Sequence, residues 1–430
     1  MDGSRAANLL KVIGPGLLFA GAAIGVSHLV QSTRAGAVYG LGLIGVVLLA
    51  HVTKYPGLSF GSRYSNGTGL SLLEGYRRQG KWTLVVFSIL TLGSMFTVSA
   101  AVTLVTAAIL NEALLSRLSD GVTLQTGSLV LFVLVAMLLR AGGFKWLDSA
   151  IKLLLGTMAL LTLVATLSVL PSVEWASFSL MLPPKAMEPA AILFVVALAG
   201  WMPAPMDISV WNSMWALAKR DATGHHPEPS EVRFDFNLGF GLCVVLALCF
   251  VTLGTVVMFQ ADVAPAAGAV PLAKQILSLF TEALGSWSYP IVVLCCFAVM
   301  FSTTLTVLDA FSRVLVILVD RIRAPEKPGE TARDLAAERG YWFAFAVLLA
   351  GSLPLIYTAK DNLKPMVDLA TTLSFVTTPV LAFFNHRAMH ADEVDEAYRP
   401  SKAMSAFSMA CVLALTVFAL FYLWHRFLRT

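Results

Sequence analysis

Polar residues in the middle of an apolar segment are the first candidates for chemistry in this sequence. Near residue 200 the chain reads ALAGWMPAPMDISVW, so that Met202, Pro203, Pro205 and Asp207 lie close together. Each proline removes a backbone N–H and clashes with the preceding turn, so two prolines one residue apart should unwind a helix. If this apolar segment spans a membrane, a carboxylate inside it is costly and usually functional. Asp207 is therefore the main candidate, although capping the following half-helix is an ordinary role for an aspartate.

A second segment near the N-terminus has a similar interruption at Gly25, Ser27 and His28. A neutral imidazole could ligate a metal ion or exchange a proton, or it could bond a backbone carbonyl freed by the break. Met202 could offer a soft thioether ligand, or it could fill a gap in the packing. A dehydrated divalent cation needs negative charge, and Asp207 is the only acid beside either break. For a metal-ion substrate we predict Asp207, His28 and Met202 as ligands, with Gly25, Ser27 and Gly200 completing the cavity.

The elements that must position these residues are membrane-spanning helices. The chain is 57% hydrophobic and only 13% charged, with a mean hydropathy of +0.77, whereas soluble domains carry about 25% charged residues. Its apolar blocks are long enough to cross a bilayer core of about 30 Å, and lipid offers the backbone no hydrogen-bond partners. We predict eleven spanning helices, near residues 11–33, 39–62, 83–113, 125–140, 146–171, 187–219, 236–260, 289–319, 341–359, 365–385 and 403–425.

The positions of the two interruptions predict an internal repeat. They open a first half, residues 11–171, and a second half, residues 187–385, and each half holds five spans. Because five is odd, the halves should be inverted relative to each other within one domain that spans residues 1–430, with 403–425 as an extra helix. Interrupted helices at matching places in inverted halves are typical of secondary transporters.

Charge gives a predicted orientation in the cell membrane. With the N-terminus in the cytoplasm, 20 Lys and Arg residues lie on the inner side and eight on the outer side. The positive-inside rule therefore predicts a cytoplasmic N-terminus and an external C-terminus. Lys54, which falls inside the second span, is interpreted as reaching out to the cytoplasmic surface along its apolar stem.

Several functions are disfavoured by the sequence. A net charge of +4 is too small to indicate nucleic-acid binding, and all five cysteines lie inside apolar blocks without a CxxC pair. Neither a nucleophile–base set nor an HExxH motif is present, so we expect no catalytic residues, no enzyme activity and no cofactor. The expected partners are the lipid bilayer and a small molecule or ion, with a proton as the candidate coupling ion.

Several stretches resemble the Nramp (natural resistance-associated macrophage protein) family of divalent-metal transporters. They are GPGLLFAGAAIG and RAGAVYGLGL near the N-terminus, LSFGSRYSNGTG at 58–69, and the Met202-Pro203 pair. The resemblance implies an all-α LeuT-type fold, with a 5+5 inverted repeat and broken helices 1 and 6, that works by alternating access and is usually coupled to protons.

The departures from the family pattern fall on its metal site. The family's Asp-Pro-Gly-Asn is replaced by Gly25-Val26-Ser27-His28, and its His after Met-Pro is Ala204. Its glutamine in the tenth segment aligns with Thr372, which the resemblance adds to the substrate-binding candidates. We therefore predict a secondary transporter of metal ions with a non-standard substrate site; the alternative is a transporter of the same fold for a small organic solute or organic cation of amino-acid type that does not carry transition metals. Aromatic walls from Trp201, Trp211 and Trp215 suit an organic solute, and they also suit plain packing.

Overall fold

A computed structural model describes residues 13–115, 123–141, 144–327, 338–359 and 363–427. Within them, nine apolar helical stretches are long enough to cross a membrane, of which Pro15–Thr68 holds two spans, while a divided helix near residue 200 adds another. The predicted eleven spans are thus confirmed. They are α1 (Pro15–Ala23, Val26–Ser32 and Thr33–Tyr39), α2 (Ile44–Thr68), α3 (Lys81–Leu110), α4 (Leu124–Ala141), α5 (Phe144–Val169), α6 (α6a, Pro189–Trp201, and α6b, Ile208–Thr223), α7 (Pro229–Gly254), α8 (Tyr289–Arg323), α9 (Arg339–Ala359), α10 (Leu363–Met389) and α11 (Lys402–Phe427).

Both predicted breaks are present, but they differ in form. In α6, residues 202–207 separate two half-helices, as the two prolines predicted, and the Met202–Pro203 peptide bond is cis. In α1 the break is confined to Ile24 and Gly25, and a π-helical turn, Val26–Ser32, follows at once. The predicted interruption at Gly25, Ser27 and His28 is therefore confirmed at Gly25 and wrong at Ser27 and His28, which lie in the helical turn. The reason is that the Gly25 carbonyl accepts bonds from the N–H groups of His28 and Leu29, which restart the helix.

Glycines set the distances between the helices that carry the breaks. A Cβ atom on Gly16 of α1 would lie 1.9 Å from the Asp235 carbonyl oxygen of α7, and one on Gly61 of α2 would lie 2.0 Å from the Ser209 carbonyl oxygen of α6b. Only glycine permits such approaches, and small residues commonly allow this kind of packing between membrane helices. Helix α2 is consequently held directly against α6b, beside the break.

The outer surface of the helix bundle is apolar. Leu153 of α5, Phe343 of α9 and Val417 of α11 are 71%, 73% and 67% exposed. Exposed apolar surface on this scale suits lipid rather than water, and the chain is a multi-pass membrane protein. A further helix, Ala269–Leu284, lies outside the spans and buries one face through residues such as Leu272, Ile276 and Phe280.

Candidate functional site

A small cavity lies between the two breaks. It measures about 30 Å³, which is room for one or two water molecules. Four helices supply its walls. The lining residues are Ala22, Ala23, Val26 and Ser27 of α1; Val98 and Val102 of α3; Trp201, Ala204, Pro205, Ile208 and Trp211 of α6; and Thr303 and Val307 of α8. Both interrupted helices therefore face the same space.

Two tryptophans fix the aromatic walls of the cavity. Trp201, the last residue of α6a, donates a 2.9 Å hydrogen bond from its Nε1 to the Ser374 hydroxyl of α10. Trp211, one turn into α6b, packs edge-on against Phe311 with ring centroids 5.0 Å apart. Trp215 packs against Trp211 but is not among the lining residues. The rings of Trp201 and Trp211 are thereby held in place by neighbouring helices.

The two hydroxyl groups of the lining are hydrogen-bond acceptors. The Ser27 hydroxyl donates to the Ala23 carbonyl oxygen at 2.5 Å. The Thr303 hydroxyl lies 3.0 Å from the Gly21 carbonyl oxygen and 3.1 Å from the Val299 carbonyl oxygen, and donates to these backbone acceptors. Because each hydroxyl proton points to a backbone carbonyl or, for Ser27, also to His28 Nδ1, both hydroxyl oxygens keep lone pairs. The cavity therefore offers acceptors within apolar and aromatic walls, and its lining residues include no acid, histidine or sulfur-containing side chain.

His28 is fully buried, and both of its ring nitrogens have partners. Nε2 lies 3.0 Å from the Cys243 carbonyl oxygen of α7, and Nδ1 lies 2.7 Å from the Ser27 hydroxyl and 3.1 Å from the Ala23 carbonyl oxygen. A neutral ring protonated at Nε2 satisfies this arrangement, because Nε2 donates to the Cys243 carbonyl and Nδ1 accepts from the Ser27 hydroxyl, whose proton lies between Nδ1 and the Ala23 carbonyl oxygen. The side chain ties α1 to α7, and it is not among the residues that line the cavity.

The other predicted binding residues are distributed around the breaks. Gly25 packs against Thr303, whose Oγ1 would lie 2.8 Å from an added Cβ, and Gly200 packs against the Thr371 carbonyl oxygen of α10. The Met202 sulfur lies 3.6 Å from the Ser32 hydroxyl. Thr372 is buried in α10. Of the predicted set, only Ser27 lines the cavity, and in the described parts of the chain no three His, Cys, Asp or Glu side chains group into a metal-binding cluster.

Asp207 stands at the start of α6b and is 8% exposed. It occupies the N-cap position, yet its side chain makes no capping hydrogen bond. Its Oδ1 atom is buried and has no hydrogen-bond partner among the described residues. The side chain therefore does not make the capping hydrogen bond considered from the sequence.

The structure places Lys54 elsewhere than the sequence predicted. It is 0% exposed, and its Nζ donates to the carbonyl oxygens of Gly200 at 2.5 Å and Ala204 at 3.2 Å. It also attracts Asp207 electrostatically. The prediction that Lys54 reaches the cytoplasmic surface is wrong, because the close approach of α2 to α6b brings its amine to backbone acceptors that the break in α6 has freed.

Two polar contacts bind the ends of α1 to the opposite half. At the end beyond the break, Arg34 makes a two-point ion pair with Asp368 of α10, at 2.8 and 3.2 Å. At the beginning, Asp235 of α7 accepts hydrogen bonds from the N–H groups of Gly14 and Gly16, at 2.9 and 2.7 Å. The cavity thus lies between two contacts that each join α1 to the second half of the chain.

Other lining residues had no signal in the sequence. Val98, Val102 and Thr303 sit in continuous helices, where valine and threonine are ordinary residues of a membrane span. Their roles come only from the packing of α3 and α8 across the two breaks.

The backbone resembles those of solved transporters. A manganese transporter of Eremococcus coleocola superposes with a TM-score of 0.64 over 98% of this chain and 87% of that chain, at 12% identity. MhsT in complex with L-phenylalanine gives 0.59 over 99% of both chains, at 13% identity. Mhp1, a nucleobase-cation-symport-1 family transporter, gives 0.52 over 96% of this chain and 91% of that chain, at 14% identity. These likenesses show the LeuT-type fold that was predicted.

No model of a known protein family matches the chain. At the level of sequence, the chain is 32% identical over 376 residues to "Uncharacterized protein PM0681" of Pasteurella multocida (strain Pm70). The aligned region covers 87% of this chain and 83% of that protein. The chain belongs to the same family as this Pasteurella protein.

Proposed function

We propose that this protein is a secondary transporter that works by alternating access and carries a small organic solute with N–H donors, such as an amine or an amide. The observation that carries the proposal is the cavity between the two broken helices, which pairs tryptophan walls with the acceptor oxygens of Ser27 and Thr303. A pocket with apolar walls and a few oriented polar groups is typical of sites for organic molecules.

The chemistry of the lining argues against a bare divalent cation at this place. Ca²⁺ and Mg²⁺ sites use carboxylate and carbonyl oxygens or retained water, and transition metals favour nitrogen and sulfur ligands. The lining residues bring Trp201 and Trp211 instead. Their ring faces attract cations and N–H groups, while the hydroxyl oxygens accept the donated hydrogen bonds. The size of the cavity fits a solute of only a few non-hydrogen atoms.

Alternating access is supported by the two contacts at the ends of α1. With the predicted orientation, the Arg34–Asp368 pair lies on the outer side and the Asp235 contact with Gly14 and Gly16 lies on the cytoplasmic side. Releasing the first would open the cavity outward, and releasing the second would open it inward. Broken helices around a midplane site move in this way in inverted-repeat transporters.

Intrinsic tryptophan fluorescence tests the proposed substrate class, because Trp201 and Trp211 line the cavity. Purified protein is titrated with methylammonium, acetamide and glycine, and with Mn²⁺ and Mg²⁺. We expect a saturable change with at least one organic probe that Trp211→Phe reduces and that Trp287→Phe, which removes an exposed tryptophan, leaves intact. Uptake of the radiolabelled probe into proteoliposomes then tests transport. Saturable binding of the metal ions alone would overturn the organic-solute proposal.

A metal ion is the second candidate substrate, and the Asp207 carboxylate favours it, because its Oδ1 is buried without a hydrogen-bond partner in the described chain. This second candidate includes membership of a divergent Nramp branch and coupling to protons. Its predicted metal ligands are Asp207, His28 and Met202. It predicts Mn²⁺ or Mg²⁺ binding that Asp207→Ala abolishes while the variant still elutes as a monodisperse protein in detergent. Retained binding in that variant would remove Asp207 from the site.

A further inference from the structure

The unwound part of α6 exposes backbone carbonyls on the side that faces α2. The Gly200 carbonyl belongs to the last turn of α6a and the Ala204 carbonyl lies inside the break. Carbonyls at the C-terminus of a helix carry partial negative charge. In transporters with broken helices, such carbonyls and helix ends commonly coordinate a monovalent cation. The break therefore builds a place for a positive charge.

An amine of the protein itself occupies this place. The Lys54 Nζ lies 2.5 Å from the Gly200 oxygen and 3.2 Å from the Ala204 oxygen, and the side chain is fully buried. Charged side chains within a membrane are tolerated when they pair with each other or with backbone carbonyls. Here the backbone carbonyls of Gly200 and Ala204 meet the second condition, and Asp207 at the start of α6b lies within electrostatic range of the amine.

The titratable groups around Lys54 are one carboxylic acid and two histidines. Asp207 contributes the carboxylate from α6. His51, on the same helix as Lys54, and His28 on α1 also lie within electrostatic range of this region. His51 donates from Nδ1 to the Val47 carbonyl at 2.7 Å, and both ring nitrogens of His28 are engaged with neutral partners. Neutral rings fit both arrangements, so Asp207 is the one of these three groups that can bring a negative charge near Lys54.

We propose that the Lys54 ammonium is a built-in cation that fills the carbonyl site at the α6 break in place of a dissolved monovalent ion. Its position is fixed by the tight packing of Gly57 against Met206 and of Gly61 against Ser209, which holds α2 against α6. The protein consequently needs no Na⁺ or K⁺ for the stability of this site. The inference rests on the proposed transport function, but the following experiment does not depend on transport or on the substrate.

Thermal unfolding in detergent tests this inference at constant ionic strength in NaCl, KCl and choline chloride. The wild-type melting temperature should be the same in all three salts. Lys54→Ala should melt several degrees lower, because the Gly200 and Ala204 carbonyls lose their donor, and ethylammonium or Na⁺ should raise its melting temperature saturably. The same additions should not change the wild type or Lys402→Ala, which removes an exposed lysine.

A second variant separates charge from simple hydrogen bonding. Lys54→Gln can donate neutral hydrogen bonds but carries no charge, so we expect it to melt below the wild type and below Lys402→Ala. A Lys54→Gln protein as stable as the wild type would overturn the proposal, because a neutral donor would then suffice. Saturable stabilisation of the wild type by Na⁺ over choline would also overturn it. If Lys54→Ala cannot be purified, these last two measurements decide the question.

Discussion

The ion pair between Arg34 and Asp368 gives the sharpest test of how the cavity opens. The two side chains are 8% and 17% exposed and meet through two hydrogen bonds, at 2.8 and 3.2 Å. Asp368→Asn keeps the size of the side chain but removes its charge and one acceptor. Arg34 remains positioned by a 2.8 Å bond to Gln31 and by the Phe194 ring, 4.8 Å from its guanidinium carbon. The substitution therefore changes the contact without removing its partner.

The size of the effect follows from the kind of bond that is lost. Hydrogen bonds to charged groups contribute about 1.5–3 kcal/mol, so a loss of about 2 kcal/mol is a reasonable expectation for this partly buried pair. Each 1.4 kcal/mol changes an equilibrium about tenfold. The ratio of outward-open to closed molecules should then rise roughly thirtyfold, because the pair exists only while α1 and α10 are in contact.

Thiol labelling measures this ratio. A cysteine placed at Val102, on the cavity wall formed by α3, is exposed to a membrane-impermeant reagent only when the outer path opens. The five natural cysteines are buried, which keeps the background low. We expect Val102→Cys to be labelled at least an order of magnitude faster from outside when Asp368→Asn is added.

The matched control is Asp309→Asn. Asp309 forms a comparable ion pair with Arg313, at 2.8 Å, but within one helix. Equal labelling rates with and without Asp368→Asn would refute the outer-contact reasoning, and so would an equal acceleration by Asp309→Asn.

Three further predictions concern contacts away from the cavity wall. Asp235→Ala should destabilise the protein by about 1–2 kcal/mol, because two N–H groups at the start of α1 lose their acceptor, and it should speed proteolysis near the N-terminus. Gly61→Ala should lower the yield of monodisperse protein in size-exclusion chromatography, whereas Gly93→Ala, which meets open space, should not. Burial raises the pKa of Glu326 above its ordinary value of 4.5, so the folded protein favours the protonated carboxyl group. The melting temperature should therefore fall as pH rises from about 4.5 through the raised pKa. Glu326→Gln should flatten that part of the melting-temperature profile.

The sequence predicted the features that depend on local chemistry. Apolar length predicted the spans, and Pro203 and Pro205 predicted the break in α6 because proline acts on its own turn. The break in α1 was also predicted, but its extent was not, because Gly25, Ser27 and His28 do not forbid a helix. A π-helical turn could restart directly after Gly25.

The partners of the buried polar side chains could not be predicted. Lys54 and His28 both bond backbone carbonyls, at Gly200 and Ala204 and at Cys243, that lie more than 140 residues away in the chain. Every residue has a carbonyl, so residue types carry no information about which one will be reached. A lysine eight residues inside a span looked able to reach the surface, and only the packing of α2 on α6b directs it inward.

The break in α6 links the two proposed sites. Trp201 and Ala204 line the substrate cavity, while the neighbouring Gly200 and Ala204 carbonyls hold Lys54. A movement of α6a that reshapes the aromatic wall must therefore also lengthen or shorten the bonds to Lys54. Solute binding and the hydrogen bonds of Lys54 are therefore coupled through the same few residues. A solute that stabilises the wild type should stabilise Lys54→Gln less, and that difference measures the coupling directly.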